Sequence, residues 1–187
     1  MDTKNWQVKG SLLLDYIPTI KANKDRPWDK YLTKEDKEIL ESRVLPSVWY
    51  PYGTFMRCGL AIFHELARSD LGLVKLGGRI SIELLVKNIY KSVVADKDPL
   101  KAVERWSQMG RQFYSFQAFS HEKIGEKRVK LTISPLPEPK IAEIYTAQLS
   151  GTFERLIELA GGKNPKITIG KKQWKGDPVT ELDMTWE

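Results

Sequence analysis

Cysteine and histidine are scarce in this chain of 187 residues, which contains one cysteine, Cys58, and two histidines, His64 and His121. A single cysteine excludes an internal disulfide framework and any zinc site built from cysteines. The histidines form neither a His-x-His pair nor a His-Glu-x-x-His motif, the spacings that bring two imidazoles to one metal ion. We therefore expect no metal site.

Long hydrophobic runs are also missing. No apolar run approaches the roughly 18–20 residues that cross a bilayer. The first residues, 1–6, lack the basic segment and apolar stretch of a signal peptide. A lone reduced cysteine is typical of the cytoplasm. These absences predict a soluble, cytoplasmic protein without a membrane span.

Motifs for covalent catalysis and for phosphate binding are absent as well. The chain has no Gly-x-Ser-x-Gly nucleophile motif and no Gly-x-x-x-x-Gly-Lys-Ser/Thr loop. We interpret the glycine pairs Gly77-Gly78 and Gly161-Gly162 as helix termini. Cys58 falls on the apolar face of a predicted helix, where a buried thiol is inert, and His64 points away from that face. Because no nucleophile, base or metal set can be assembled, we expect no enzyme.

Positive charge is in modest excess, with 30 Lys and Arg against 24 Asp and Glu, a formal net charge of +6. The densest basic stretch runs over 163–175 and contains Trp174. Alternating lysine and tryptophan could contact phosphates and stack a base. The simpler interpretation is an edge strand that lysines protect from aggregation. We favour the edge strand and expect no nucleic-acid partner.

The first part of the chain, to about Ser115, has apolar residues at helical spacing and is predicted to be mostly helical. Thr33 begins one helix as its N-cap, followed by acidic residues that the helix dipole favours. Proline is predicted to interrupt the first helix at Pro18, and glycine to break a later one near Gly77-Gly78. The other predicted segments are an extended stretch over 44–53, a helix over 54–69 and a helix that begins at Asp98-Pro99.

From Ser115 onward the apolar period changes from helical to alternating. Strands over 115–123 and 127–134 form one predicted hairpin, and strands over 166–174 and 179–186 form a second. A long helix over 140–160 separates them. The predicted fold class is therefore α+β. A helical part over 1–115 packs on an antiparallel sheet of about four strands over 116–187, in one domain of 187 residues.

Aromatic and apolar residues gather at two places in the sequence. One group surrounds the irregular junction before the helix at residue 54, and the other lies just before the sheet. Such residues line apolar ligand pockets, but they also form ordinary hydrophobic cores. Both interpretations stay open. The candidate pocket residues are Trp49, Tyr52, Phe55, Met56, Trp106 and Phe113.

Three landmarks resemble one bacterial family. They are Val8-Lys9-Gly10-Ser11 before a helix, Ser47-Val-Trp-Tyr-Pro in the middle, and Lys175-Gly-Asp-Pro before a strand that ends in Trp186. The family is a paralogous set of uncharacterised proteins first noted in myxobacteria, and the resemblance covers residues 7–187. It looks like a branch of the fold group that contains haem–nitric-oxide-binding sensor domains, 4-vinyl-reductase-like ligand-binding domains and subunits of the transport-protein-particle tether. The resemblance implies a helical part packed on an antiparallel sheet, with a ligand cavity between them.

The sequence departs from the metal-binding members of that group. The haem-binding members carry a histidine on the helix before the sheet and a Tyr-x-Ser-x-Arg motif after it. Here the helix over 99–114 has no histidine, and Tyr114-Ser115-Phe116 does not continue into the motif. The 4-vinyl-reductase-like members carry cysteines near the last hairpin, whereas residues 172–181 contain none. No functional residue is carried over, and we expect no cofactor.

Two functions fit these observations. The first is a non-enzymatic, cytoplasmic sensory domain for signalling, which holds a small apolar ligand in a pocket between helices and sheet. The alternative is a protein-interaction or scaffold module that acts as a homodimer or with a protein partner. A dimer face and a pocket wall use the same residue types, so the sequence does not separate the two.

Overall fold

The computed structural model describes residues 5–187 and has the predicted α+β fold. These residues form two compact units, each described by itself below. The first contains the described residues up to Asp70 together with Arg111–Phe116, and the second contains Leu71–Gly110 together with Gln117–Glu187. The signal-peptide expectation rests partly on Met1–Lys4, outside the described residues. No helix within residues 5–187 is long and apolar enough to cross a membrane.

The first unit is built mainly from short helices. They are α1 (Gly10–Leu14), α2 (Ile17–Ala22), α3 (Lys34–Glu41) and α4 (Tyr52–Glu65), with a 3-10 turn at Trp28–Lys30. Two short strands, β1 (Gln7–Lys9) and β2 (Trp49–Pro51), pair antiparallel, with Val8 opposite Tyr50. The prediction lacks this small sheet, because three-residue strands are too short to display an alternating pattern.

Local chemistry sets the helix boundaries in the first unit. Pro18 lies in the first turn of α2, where its missing N–H costs no hydrogen bond, so the predicted interruption comes just before it. Thr33 caps α3 as predicted. Its Oγ1 accepts a hydrogen bond from the Asp36 N–H, and the Asp36 carboxylate accepts one from the Thr33 N–H.

The second unit combines long helices with a four-stranded sheet. The helices are α5 (Leu71–Asn88), α6 (Pro99–Phe113, whose residues from Arg111 onward belong to the first unit) and α7 (Pro139–Leu159). The strands are β3 (Phe119–Gly125), β4 (Arg128–Ile133), β5 (Lys166–Ile169) and β6 (Thr180–Thr185). They are antiparallel in the order β3-β4-β6-β5, which confirms the predicted four-stranded antiparallel sheet.

The sheet buries one face of each central strand. On β4, Val129, Leu131 and Ile133 are inaccessible or nearly so, and on β6 Leu182 and Met184 are fully buried. The alternation that predicted half-buried strands is therefore confirmed.

The lysine-rich segment lies at an edge of the sheet. β5 is the edge strand, with Lys166 exposed at its start. It ends at Ile169 rather than at Trp174, because the chain turns at Gly170 into a 3-10 turn at Gln173–Lys175. This position fits the edge-strand interpretation.

The predicted break near Gly77-Gly78 is wrong. α5 runs unbroken through both glycines, so this pair is not a helix terminus. A Cβ on Gly78 would lie 2.1 Å from the carbonyl oxygen of Gln148 on α7, and a Cβ on Gly151 would lie 1.9 Å from the Lys75 carbonyl oxygen. Glycine is needed here because two helix backbones approach closely. Gly161, by contrast, follows α7 with φ of +95°, as a terminal glycine does.

Candidate functional site

A cavity of about 520 Å³ opens in the first unit beside α2 and α3. Its volume lies within the range of small-molecule sites, roughly 300–1,000 Å³. We call it the cationic cavity, for reasons given below. It is lined by Ile20, Lys21, Lys24, Arg26, Pro27, Trp28, Asp29, Leu32, Lys37, Leu40 and Glu41.

The segment between α2 and α3 is held in a fixed conformation by its own hydrogen bonds. The Asn23 side chain donates from Nδ2 to the Thr19 carbonyl at 2.8 Å, and its backbone carbonyl accepts from the Trp28 indole Nε1 at 2.8 Å. The Leu32 N–H then bonds to the Trp28 carbonyl at 2.9 Å. These bonds satisfy the polar groups of Trp28, which is only 9% exposed. The Trp28 ring lines the cavity.

The floor of the cationic cavity is apolar and its rim is charged. Ile20, Leu32 and Leu40 are each less than 10% exposed. The charged lining residues comprise four cations and two acids. An apolar floor below an excess of positive charge suits a ligand with an apolar body and an anionic group.

The rim cations differ in their partners. Lys37 donates to Asp29 at 2.8 Å, which joins α3 to the 3-10 turn and raises the pKa of Lys37. Arg26 makes a 3.9 Å contact with Asp25, its one ion pair within residues 5–187. Lys21 and Lys24 are exposed and form no ion pair with any residue in 5–187. Positive charge is therefore available at the rim.

The sequence does not predict this cavity. The stretch Lys21–Lys30 is polar and contains Pro27, a composition typical of a loop or a short turn. The convergence of Ile20, Leu32 and Leu40 depends on how the chain folds back. The one signal in the sequence is Trp28, a large aromatic residue in an otherwise polar segment.

Five of the six predicted pocket residues lie in the first unit. Trp49 is 36% exposed, and the Lys9 ammonium lies 3.9 Å from the centre of its ring. Tyr52 is 2% exposed, 5.0 Å from the Phe116 ring centre. Phe55 is buried and stacks on Tyr16 at 5.2 Å. Tyr52 and Phe55 belong to one aromatic cluster, with 6.1 Å between their ring centres.

The remaining predicted residues are dispersed. Met56 is half-buried on α4, and Phe113 is buried at the end of α6 in the first unit. Trp106 lies on α6 in the second unit, with Tyr90 at 6.2 Å between ring centres. None of the six predicted residues lines the cationic cavity. A pocket formed by them stays a prediction.

A buried carboxylate links α3 to α4. Asp36 is fully buried, and Arg57 contacts it through Nε at 2.6 Å and Nη2 at 2.8 Å. Thr54 Oγ1 donates to the same carboxylate at 2.7 Å. Because every oxygen of Asp36 is engaged in holding the helices, this network is structural.

His64 and Ser69 form a pair that sequence spacing does not reveal. His64 Nδ1 lies 2.9 Å from Ser69 Oγ, and the imidazole stacks on Tyr31 with 5.7 Å between ring centres. His64 is exposed, as predicted. No carboxylate bonds to the imidazole among the described residues, so the pair lacks the third group of a catalytic triad. The pair joins the last turn of α4 to the segment that follows the helix.

Among the described residues, α6 offers no histidine to a haem, and no cluster of His, Cys, Asp or Glu offers a metal site. Haem iron needs an axial His, Cys, Met or Tyr ligand. α6, the helix before the sheet, has no histidine, and His121 lies on β3 opposite Leu131. Burial raises the pKa of the Cys58 thiol to about 12, which keeps it protonated. Within residues 5–187 no group of three or more His, Cys, Asp or Glu side chains could hold a metal ion.

Comparisons with known proteins support the fold. No protein-family model matches the sequence, and no curated protein matches it. An H-NOX protein from S. oneidensis in the Fe(II)NO ligation state has a TM-score of 0.66 at 12% identity, covering 96% of this chain and 99% of that chain. The Fe(II) unliganded H-NOX protein from K. algicida has a TM-score of 0.61 at 11% identity, covering 96% of each chain.

This likeness concerns the fold alone, because the identities are so low. It supports the broad fold group that the sequence landmarks resemble. Membership in the narrower paralogous family stays a prediction.

Proposed function

We propose that this protein is a non-enzymatic, sensory ligand-binding domain and that the cationic cavity binds a small amphipathic anion. The sensory class is supported by the shared fold, since the similar H-NOX structures include an Fe(II)NO-ligated form and an unliganded Fe(II) form. Haem is not part of the proposal, because α6 supplies no histidine to hold it. The ligand is instead a molecule with an apolar body and a carboxylate, sulfonate or phosphate group.

One observation carries this proposal: unpaired cations surround a buried apolar floor. Lys21 and Lys24 form no ion pair within residues 5–187, although 24 acidic residues are available in the chain. Exposed lysines without a partner contribute little to the stability of the fold. An anion placed between the two lysines is attracted by both. The Trp28 ring and the aliphatic floor then remove the ligand's apolar body from water.

Ligand binding has a route to a conformational response. The Lys37–Asp29 ion pair joins α3 to the turn at Trp28–Lys30, and both residues line the cavity. An anion bound beside Lys37 competes with Asp29 for the ammonium group. Release of Asp29 loosens the turn from α3, which is the kind of local change that a sensory domain transmits.

Calorimetric titration tests the ligand class. Dodecanoate is expected to bind, whereas dodecyltrimethylammonium, with the same chain and opposite charge, is not. The double substitution Lys21→Ala and Lys24→Ala should weaken dodecanoate binding about 3- to 10-fold. The control Lys163→Ala and Lys166→Ala removes the same charge from the second unit and should have no effect. Equal binding of both amphiphiles, or equal effects of both double variants, would overturn the proposal.

Native mass spectrometry of the freshly purified protein distinguishes a ligand held in the cationic cavity from one held in the predicted aromatic pocket. Mass retained from the expression host should disappear in the Lys21→Ala, Lys24→Ala variant and persist in Trp49→Ala. The opposite result, loss in Trp49→Ala alone, would assign the ligand to the aromatic pocket and refute the cationic cavity.

A further inference from the structure

Tyr31 belongs to the segment that forms one wall of the cationic cavity, although it does not line the cavity itself. Its neighbours Trp28, Asp29 and Leu32 are all lining residues. The Tyr31 N–H bonds to the Trp28 carbonyl at 3.0 Å, and the Leu32 N–H bonds to the same carbonyl at 2.9 Å. Tyr31 and its lining neighbours therefore share one hydrogen-bonded turn, so a contact that fixes the Tyr31 side chain also fixes this wall.

The Tyr31 side chain is held on α4. Its hydroxyl donates to Glu65 Oε1 at 2.8 Å, a bond that we call the α4 anchor. Its ring stacks on the His64 imidazole with an interplanar angle of 16°. The hydrogen bond to Glu65 raises the pKa of Tyr31, so the hydroxyl keeps the proton that it donates. No residue of α4 lines the cavity, so the anchor lies outside the ligand site.

The position of Glu65 shows that the α4 anchor is a specific contact. Glu65 is the last residue of α4, where the helix dipole disfavours a carboxylate. Its side chain is half-buried and forms no ion pair with any residue in 5–187. A half-buried carboxylate at this end of a helix is destabilising unless a donor meets it. The Tyr31 hydroxyl is that donor.

A ligand at the rim affects the contacts of the turn unequally. Lys37 donates to Asp29 at 2.8 Å, and both residues line the cavity. A bound anion competes for the Lys37 ammonium and so weakens this contact. Neither partner of the α4 anchor lines the cavity, so the ligand does not compete for it. The anchor is therefore the contact that can hold the wall while a ligand occupies the rim.

We propose that Tyr31 is a positioning residue of the cationic cavity, which fixes the turn through Glu65 and so keeps the Trp28 ring in place for the ligand's apolar body. This inference rests on the function proposed above. A wall that is fixed in advance needs no ordering when the ligand binds, whereas ordering one flexible side chain costs about 2- to 12-fold in affinity. The α4 anchor acts on the ligand's apolar body, and the rim lysines act on its anionic group.

These two roles differ in how they depend on the length of the ligand. Each added methylene extends the contact with the apolar wall, so loss of a fixed wall should weaken a long fatty acid more than a short one. Loss of rim charge should weaken both by the same factor, since each carries one carboxylate. Destabilisation of the whole fold would also weaken both equally, because it only lowers the fraction of protein that can bind. A length-dependent loss is therefore specific to positioning.

Calorimetric titration of the full chain with octanoate and dodecanoate tests the positioning role. Tyr31→Phe removes only the hydroxyl and should weaken dodecanoate binding about 5- to 12-fold but octanoate binding about 2-fold or less. The double substitution Lys21→Ala and Lys24→Ala should weaken both by the same factor. Glu65→Gln keeps a carbonyl oxygen for the Tyr31 hydroxyl and should bind as the wild type does, whereas Glu65→Leu should behave as Tyr31→Phe.

Tyr50→Phe is the matched control, because the Tyr50 hydroxyl accepts from the Leu45 N–H at 3.0 Å in the same unit and neither residue lines the cavity. It should change neither affinity. Wild-type affinities in Tyr31→Phe, or an equal loss for both fatty acids, would overturn the positioning role alone. Absence of dodecanoate binding in the wild type would overturn the proposed ligand site and the positioning role together. Circular dichroism checks folding, and Glu65→Leu gives the same comparison if Tyr31→Phe does not fold.

Discussion

Replacing Asp36 with asparagine is the sharpest test of the stability of the first unit. The carboxylate accepts four hydrogen bonds. Oδ1 receives them from Thr54 Oγ1 at 2.7 Å and Arg57 Nη2 at 2.8 Å, and Oδ2 receives them from Arg57 Nε at 2.6 Å and the Thr33 N–H at 2.8 Å. Asparagine has one oxygen, so one of these pairs of donors would face an amide N–H₂ group instead.

The expected cost at neutral pH follows from the lost acceptors. A buried donor left without a partner costs about 1–3 kcal/mol, and breaking a fully buried ion pair costs about 3–5 kcal/mol. The Arg57 side chain is 38% exposed, so water replaces part of what it loses. We therefore expect Asp36→Asn to lower the free energy of unfolding by about 2–4 kcal/mol.

The pH dependence of the same variant has a defined sign. Burial alone would raise the pKa of Asp36, but hydrogen bonds from Arg57, Thr54 and Thr33 lower it to about 2. The pKa in the unfolded chain is about 3.9. Asp36 therefore stabilises the fold by about 2.6 kcal/mol above the unfolded pKa, and this contribution disappears as pH falls toward 2.

Urea denaturation of the wild type and of Asp36→Asn at pH 7, 5, 3 and 2.5, followed by tryptophan fluorescence, measures both effects. The difference between the two proteins should be constant from pH 7 to 5 and should shrink below pH 4. Asp29→Asn is the control, because Asp29 is an exposed partner of Lys37 and should cost less than about 1 kcal/mol. A cost below 0.5 kcal/mol for Asp36→Asn, or a difference that does not change with pH, would refute the reasoning.

Two further predictions concern buried small residues. Gly78→Ala should lower the free energy of unfolding by about 1–3 kcal/mol in urea denaturation, because its Cβ meets the Gln148 carbonyl oxygen, a backbone atom that cannot rotate away; an unchanged or raised stability would contradict the α5–α7 contact. Cys58 is fully buried with its pKa raised to about 12, so the native protein should not react with a thiol reagent such as dithionitrobenzoate at pH 8, whereas the urea-unfolded protein should react fully.

The sheet and the long helices could be predicted because each is specified by its own sequence period. Residues 128–133 alternate apolar and polar, and the strand follows from that pattern alone. The Thr33 cap is equally local, since its partner Asp36 lies three residues away. The Asp36–Arg57 pair could not be predicted, because it joins residues 21 positions apart whose meeting depends on how α3 packs on α4.

The cationic cavity illustrates the same limit for function. The sequence shows the charge of Lys21–Lys30 but not that Leu32 and Leu40 fold beneath it. The sequence instead predicts a pocket at aromatic residues, since these commonly line ligand pockets. Tyr52 and Phe55 are buried against other aromatic rings, which is the core interpretation that the sequence also allowed.

The pair Gly77-Gly78 shows why a local rule fails when helix packing acts on one of two neighbouring residues. Two adjacent glycines lower helix propensity enough to predict a break. Consecutive residues on a helix point about 100° apart, however, so one glycine can serve a contact that the other does not touch. Gly78 faces α7, whose backbone excludes any side chain at that position, and this packing maintains the helix through both glycines. Gly77 has no neighbouring atom within 4 Å of its Cβ position, so the packing at Gly78 is what keeps this segment helical.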